Sequence, residues 1–367
     1  MKNTVKVMLI DDSALVRKVM SEILNHDKRF SICATAADPI IAFERLKTVT
    51  PDVILLDLEM PRMDGITFLS KFMPNNPIPV VVCSSVAEES SENAIRALEL
   101  GALDIVSKPQ IGIKSFFEES KIRITDALFA AAGTNIDTRK QKLPPQFHSR
   151  SPTADVEKRV LTTTEKVIAV GASTGGTEAI RIFIESLPKN PPGVVIVQHM
   201  PEKFTKAFAD RLNSFIDLDI REASGGEEVR SGSVLIAPGN RHMIVKRIGA
   251  VYRAELIDGP LVSRHRPSVD VLFRSVARNV GKNAIGCILT GMGSDGSEGL
   301  LEMRNSGAYT LGQSEQSSVV FGMPGAAAKI GAVCELLDVE DMGSEIFRYL
   351  SGPRKRNNGN GARRDSA

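Results

Sequence analysis

Twice along this 367-residue chain, short apolar runs alternate with amphipathic helical patterns, and a polar stretch separates the two series. In the first series strand-like runs fall at Val5–Ile10, Ser31–Ala36, Val53–Leu56, Val80–Cys83 and Ile105–Val106. Helical patterns lie between them, for example Ala14–Leu24, Ile40–Leu46, Ile66–Phe72 and Glu92–Leu100. Such alternation predicts a parallel sheet with helices on both faces. Five units of this kind suit a small doubly wound α/β domain. A second α/β series opens at Lys166, with strands expected at Val167–Val170, Val194–Gln198, Ser233–Ala237 and Ala284–Leu289. Its helices are expected after Gly176, Glu202, Ser268 and Gly296.

The expectation is therefore two α/β domains, over residues 1–133 and 166–350. Residues 134–165 contain Pro144-Pro145, Ser149, Ser151, Pro152 and Thr162-Thr163-Thr164 and keep no apolar period, which marks a linker. Its basic run Arg139-Lys140-Gln141-Lys142 reads first as solvated charge and second as a docking segment. Residues 351–367, with Arg354, Lys355, Arg356, Arg363 and Arg364 among Asn and Gly, read as a disordered basic tail.

Composition narrows the classes. A net charge of +2 with 25% charged residues gives no bulk attraction to nucleic acid or to a membrane surface. The second half has no helix-turn-helix-like basic segment, which argues against a transcription factor. No run approaches the ~20 apolar residues of a membrane helix. Met1–Lys6 leads straight into a strand without a leader pattern, so the expected location is the cytoplasm. Cys33, Cys83, Cys287 and Cys334 show no CxxC spacing and read as buried, reduced thiols rather than zinc or redox sites.

Polar residues recur where the first series of strands end. Asp11 and Asp12 follow the first, Asp57 the third, Ser84 the fourth, and Lys108-Pro109 the fifth. In an open parallel sheet these ends line one crevice. Three carboxylates gathered there call for a hard divalent cation with oxygen ligands, most simply Mg²⁺. A cation, a fixed ammonium and a hydroxyl around a nucleophilic carboxylate form apparatus for phosphoryl transfer, with Asp57 as the acceptor. A haloacid-dehalogenase-type phosphatase would want Asp-x-Asp after strand one, where this chain has Asp11-Asp12-Ser13. Over roughly Lys6 to Gly133 these motifs resemble the response-regulator receiver family. The resemblance implies a flavodoxin-like fold and phosphorylation of Asp57 by a chemotaxis histidine kinase. It also implies Mg²⁺ held by Asp11, Asp12, Asp57 and the backbone of Glu59, with Ser84 and Lys108 sensing the phosphoryl group.

The second series opens with Val167-Ile168-Ala169-Val170 and a glycine-rich turn, Gly171-Ala172-Ser173-Thr174-Gly175-Gly176. A dinucleotide site would need an acid at the end of the next strand, which instead reads Gln198-His199-Met200-Pro201. The competing reading is nucleophilic catalysis. Ser173 needs a base, supplied by His199, and the imidazole needs an orienting carboxylate, for which Asp295 follows a third strand. Backbone N–H groups of Thr174 and Met292 are the oxyanion candidates. His242, also just past a strand, is the alternative base, whereas His265 lies in Ser263-Arg264-His265-Arg266-Pro267, which reads as an exposed basic loop. A receiver joined to a non-catalytic binding module is the other class of reading.

Val170–Gly176, Ile196–Phe204, Ile236–His242 and Ile288–Gly299 resemble the catalytic domain of the chemotaxis protein-glutamate methylesterase family. With the receiver, the resemblance runs from about Lys6 to Leu350. It implies a Rossmann-like second domain, a Ser173, His199, Asp295 triad and no cofactor for the esterase. It further implies hydrolysis of γ-glutamyl methyl esters, and deamidation of selected glutamines, on chemoreceptor cytoplasmic helices.

Overall fold

The computed structural model describes residues 4–76, 78–85, 87–109, 114–134 and 166–352. The expected linker and almost all of the expected tail lie outside the described residues. Ser351, expected to begin the tail, is still helical.

The first unit runs β1 (Val5–Ile10), α1 (Ala14–Asn25), β2 (Phe30–Ala36), α2 (Pro39–Leu46), β3 (Val53–Asp57) and α3 (Gly65–Phe72). It continues with β4 (Val80–Ser84), α4 (Glu88–Glu99), β5 (Asp104–Ser107) and α5 (Lys114–Ala132). The strands pair in parallel in the order β2-β1-β3-β4-β5. This is the flavodoxin-like doubly wound order. Every residue of β3 and β4 is buried, as strands covered on both faces require. Helix starts are set locally. Ser13, Asp38 and Asp64 each cap the helix that follows by accepting the N–H of Val16, Ile41 and Thr67.

The second unit opens with β6 (Val167–Ala172), α6 (Gly176–Ser186), β7 (Gly193–Gln198), α7 (Phe204–Asn213), β8 (Asp219–Glu222) and β9 (Glu227–Glu228). Then come β10 (Ser233–Ile236), β11 (His242–Ile248), β12 (Val251–Ile257), α8 (Val269–Asn279), β13 (Ala284–Ile288) and α9 (Ser297–Asn305). It closes with β14 (Tyr309–Gln313), α10 (Met323–Lys329), β15 (Glu335–Leu337) and α11 (Val339–Ser351). Seven strands form a parallel sheet in the order β15-β14-β13-β6-β7-β10-β8. The chain leaves β6 toward β7 and later lays β13 on the opposite flank of β6. The order reverses there, and a crevice opens beyond the strand ends at such a switch point.

A three-stranded antiparallel sheet, β11-β12-β9, stands apart from the expected parallel pattern. Its β11 is tied to α8, since Val245 N donates to Ser275 Oγ at 2.9 Å. The cysteine expectation is corrected in part. Cys83 and Cys287 are buried, but Cys33 is half-buried and Cys334 exposed; all four are free. Among the described residues, no helix is long and apolar enough to cross a membrane.

The two units touch through the face of the first that carries α4, β5 and α5. Arg211 of α7 donates to Glu99 of α4 at 2.6 Å, and Arg123 of α5 donates to the carbonyl of Arg266 at 2.9 Å. Val319 of the second unit packs against the core of the first.

Candidate active site

β6, β7 and β13 lie side by side, so their carboxyl ends deliver Ser173, His199 and Asp295 to one place. All three line a single cleft of about 330 Å³ together with Thr174 and Met292. The turn after β6 is built tightly. The Ser173 N–H bonds to the Thr290 carbonyl at 3.0 Å, and the Ser173 carbonyl accepts from Gly176 N–H and from Gln198 Nε2. Gly175 sits at φ 75°, a conformation that favours glycine. Gly291 passes so close that a Cβ there would lie 2.6 Å from Ser173 Cβ.

His199 Nε2 and Asp295 Oδ2 are 2.8 Å apart. Asp295 is almost fully buried and is held by the first turn of α8. Val269 N–H donates to Oδ2 at 2.7 Å, while Asp270 N–H and Ser268 Oγ donate to Oδ1 at 3.0 and 2.8 Å. Burial pushes the Asp295 carboxyl up. The bonds from His199 and from the two amides outweigh that push and hold it at about 2. The N-terminal end of a helix adds favourable field for an anion. With Nε2 engaged, His199 Nδ1 remains, buried and without a hydrogen-bond partner. Ser268 was legible as a helix start, but its bond to Asp295 was not.

Two histidine expectations change. His242 is buried outside the cleft, with Nε2 bound to the Pro260 carbonyl and Nδ1 accepting from Ser268 N–H, so both ring nitrogens are occupied. It is a structural residue. His265 is not an exposed loop residue. Its ring stacks on His199 with centroids 3.7 Å apart and planes 9° from parallel. Burial, then the neighbouring His199, pushes its pKa well below the ordinary histidine value, which favours the neutral ring. A neutral ring over His199 limits rotation of the imidazole. We expect His265→Ala to lower kcat roughly 10–100-fold with little change in KM, because small misplacement of a reacting group has effects of that size. His265→Phe, which keeps a flat ring, should recover most of the rate; steady-state kinetics of the two variants would check this.

The first unit forms part of the cleft wall. Asp104, Ile105, Val106, Arg123, Asp126 and Ala127 of the first unit also line it. Asp104 accepts from Thr174 Oγ1 at 2.7 Å, and the Leu103 carbonyl accepts from Gly175 N–H at 3.2 Å. Burial raises the Asp104 carboxyl to about 6, against the bond from Thr174. Sequence reasoning missed this latch, since no local pattern ties position 104 to position 174.

At the far end of the first unit, Asp11, Asp12 and Asp57 each place an oxygen within 4.8 Å of the others. Lys108 Nζ lies 2.6 Å from Asp57 Oδ2 and 3.1 Å from Asp11 Oδ2. Burial lifts the Asp57 carboxyl to about 6, although Lys108 opposes it. The Glu59 N–H donates to Asp57 Oδ1 at 3.2 Å, while the Glu59 side chain turns to Ser85 and Ser90. Ser84 Oγ is buried with no partner.

A doubly wound unit with a strand-end aspartate cluster, joined to a Rossmann-like α/β unit with its own strand-end cleft, defines a two-domain response regulator. The family described as "Response regulator receiver domain" matches residues 7–115, and that described as "CheB methylesterase" matches residues 168–346. The chain belongs to the protein-glutamate methylesterase/protein-glutamine glutaminase family. It is 52% identical over 353 residues to the Geobacter metallireducens protein-glutamate methylesterase/protein-glutamine glutaminase 3, covering 94% of this chain and 98% of that one. It is also 52% identical over 363 residues to the corresponding protein 2 of Rhodospirillum rubrum, covering 95% and 99%. The solved catalytic domain of Thermotoga maritima CheB methylesterase is 35% identical, covers 50% of this chain and 98% of its own, and superposes with a TM-score of 0.49.

Proposed function

We propose that this chain hydrolyses γ-methyl esters of glutamate side chains on chemoreceptors, and deamidates selected glutamines, by a Ser173–His199–Asp295 mechanism that phosphorylation of Asp57 releases. As a member of its family it is a carboxylic ester hydrolase. The observation that carries the mechanism is a buried imidazole bound through one nitrogen to a firmly held carboxylate, with its other nitrogen unpartnered in a cleft shared with Ser173. Asp295 accepts the Nε2 proton of His199, which leaves the Nδ1 lone pair as the base. The Ser173 hydroxyl passes its proton to Nδ1 as Oγ attacks the ester carbonyl carbon. Amides of Thr174 and Met292 receive the negative charge on the carbonyl oxygen. Collapse expels the methoxy group, which takes the proton from Nδ1 and leaves as methanol. Water repeats the sequence on the acyl-enzyme and releases the glutamate; from glutamine, ammonia leaves in place of methanol.

In the receiver, Asp11, Asp12 and Asp57 offer the hard oxygen donors that suit Mg²⁺, with the Glu59 backbone beside them. Bound there, Mg²⁺ would neutralise charge during transfer of the phosphoryl group. Asp57 accepts that group from a chemotaxis histidine kinase, Lys108 holds it, and the unpartnered Ser84 hydroxyl hydrogen-bonds it. The cytoplasm is the compartment this assignment fits. Closed, the receiver seals the cleft through Asp104 and Leu103; opening requires only that phosphorylation favour the separated state by a few kcal/mol.

The test is methanol release from methylated receptor by the full chain, with and without acetyl phosphate. Wild type should accelerate and Asp57→Asn should not. A hydrogen bond to a charged partner contributes about 1.5–3 kcal/mol. Adding Asp104→Ala to Asp57→Asn should therefore raise the unphosphorylated rate roughly 10-fold or more. Equal activation of Asp57→Asn by acetyl phosphate would sink the regulatory reading.

A further inference from the structure

The turn carrying Arg264 has an unusual backbone. Val262 and His265 bond to each other in both directions, at 3.1 and 2.9 Å, and close a two-residue loop. The residues inside it, Ser263 and Arg264, have φ values of 51° and 70°. Two successive positive φ angles are what Asn-Gly usually supplies in such loops, and side chains disfavour them. Neighbours over-determine the turn. Ser263 Oγ donates to Asp270 at 3.3 Å, and the Arg266 guanidinium donates to Asn240 Oδ1 and to the Gly259 carbonyl. Strain held in place by its surroundings points to function. One result of the turn is His265 on His199; the other is Arg264 at the rim of the Ser173 cleft.

Arg264 meets the receiver there. Its Nη2 lies 3.3 Å from Asp126 Oδ2, with 55% of its side chain exposed. The pairing is imperfect, since charge-assisted N–H···O bonds run ~2.7–2.9 Å. The other oxygen of Asp126, Oδ1, is buried, makes no hydrogen bond among the described residues and lies 3.8 Å from Arg29 Nη1. Burial raises the Asp126 carboxyl despite Arg264 and Arg29. Arg123 and Arg266 line the same cleft, together with the carboxylates of Asp104, Asp126 and Asp295. A carboxylate of the receiver thus pairs with a guanidinium that lines the Ser173 cleft.

We propose that Arg264 is a specificity-determining residue that binds a carboxylate flanking the reactive ester in an acidic protein segment, and that Asp126 holds its place while the receiver is closed. This rests on the esterase reading of the cleft. Each turnover leaves a glutamate where an ester stood, so the substrate gains carboxylates as the reaction proceeds. A planar guanidinium on a rigid turn suits that recognition.

The probe is a synthetic segment bearing one glutamate γ-methyl ester, made with flanking glutamates or with flanking glutamines. Full-length protein with acetyl phosphate is assayed for methanol release, and a fluorophosphonate label reports Ser173. Arg264→Glu should lower kcat/KM for the acid-flanked segment at least 10-fold, mainly through KM, and the glutamine-flanked value less than 3-fold. Arg264→Lys should fall between. Asp126→Asn should raise the unphosphorylated rate on the acid-flanked segment several-fold. Equal losses on both segments would overturn the assignment while leaving the esterase reading intact. A wild type that hydrolyses neither segment and takes no label would overturn both.

Discussion

Replacing Ser173 by alanine should lower methanol release from methylated receptor by a factor on the order of 10⁴–10⁶, the range found when a serine nucleophile is removed from a hydroxyl–imidazole–carboxylate set. The fold should survive. Ser173 enters the structure through its backbone, with its N–H on Thr290 and its carbonyl on Gly176 and Gln198, and alanine keeps all three bonds. Circular dichroism and receiver phosphorylation should therefore match wild type, while fluorophosphonate labelling disappears. An alanine variant that still hydrolyses at the wild-type rate would place the nucleophile at some residue other than Ser173.

Asp295→Asn should lower kcat by about 10⁴, the effect known for the equivalent change in serine proteases. The physical reason lies in the donors that surround this side chain. Val269 N–H and His199 Nε2 both meet Oδ2, while Ser268 Oγ and Asp270 N–H meet Oδ1. An amide can keep only one acceptor oxygen. With its NH₂ at the Oδ2 position it confronts Val269 N–H and His199, which is pressed to turn Nε2 into an acceptor with its proton on Nδ1. The base then has no lone pair for Ser173. Protonating the carboxylate should not do the same at ordinary pH. Its folded value, depressed to about 2, means that the stability it contributes is present above the usual carboxylate range and is lost progressively as pH falls from there through that value, while the folded carboxyl itself stays ionised until about pH 2. Activity of wild type should thus show no loss assignable to Asp295 above about pH 4. A titration of the Asp295 carboxyl in the folded protein with a midpoint near pH 4 to 5, followed by carboxyl NMR, would contradict this.

Much of the placement was legible, and for one reason. In a parallel sheet every strand points the same way, so residues just past apolar runs share an edge. That rule alone gathers Asp11, Asp57, Ser84 and Lys108 at one edge, and Ser173, His199 and Asp295 at another. It needs only the period of the strands and the identity of the next residue. The antiparallel sheet β11-β12-β9 was not read, because its strands are amphipathic rather than continuously apolar, and β9 has only two residues. His242 and His265 were misjudged because local sequence does not say which way a loop folds back. The basic character of Arg264-His265-Arg266 argued for solvent, yet a strained turn drives His265 onto His199.

By itself, then, the sequence determined two doubly wound units and the strand ends at which their polar residues gather. Periodicity and backbone direction are local properties, and they suffice for that. Only the tertiary structure decided that the α8 N-terminus holds Asp295, that His265 covers His199, and that Asp104 and Asp126 reach across to Thr174 and Arg264. Those relations join surfaces whose complementarity is written in no single stretch of chain, because they depend on loop geometry, ring orientation and the docking of one folded unit on another.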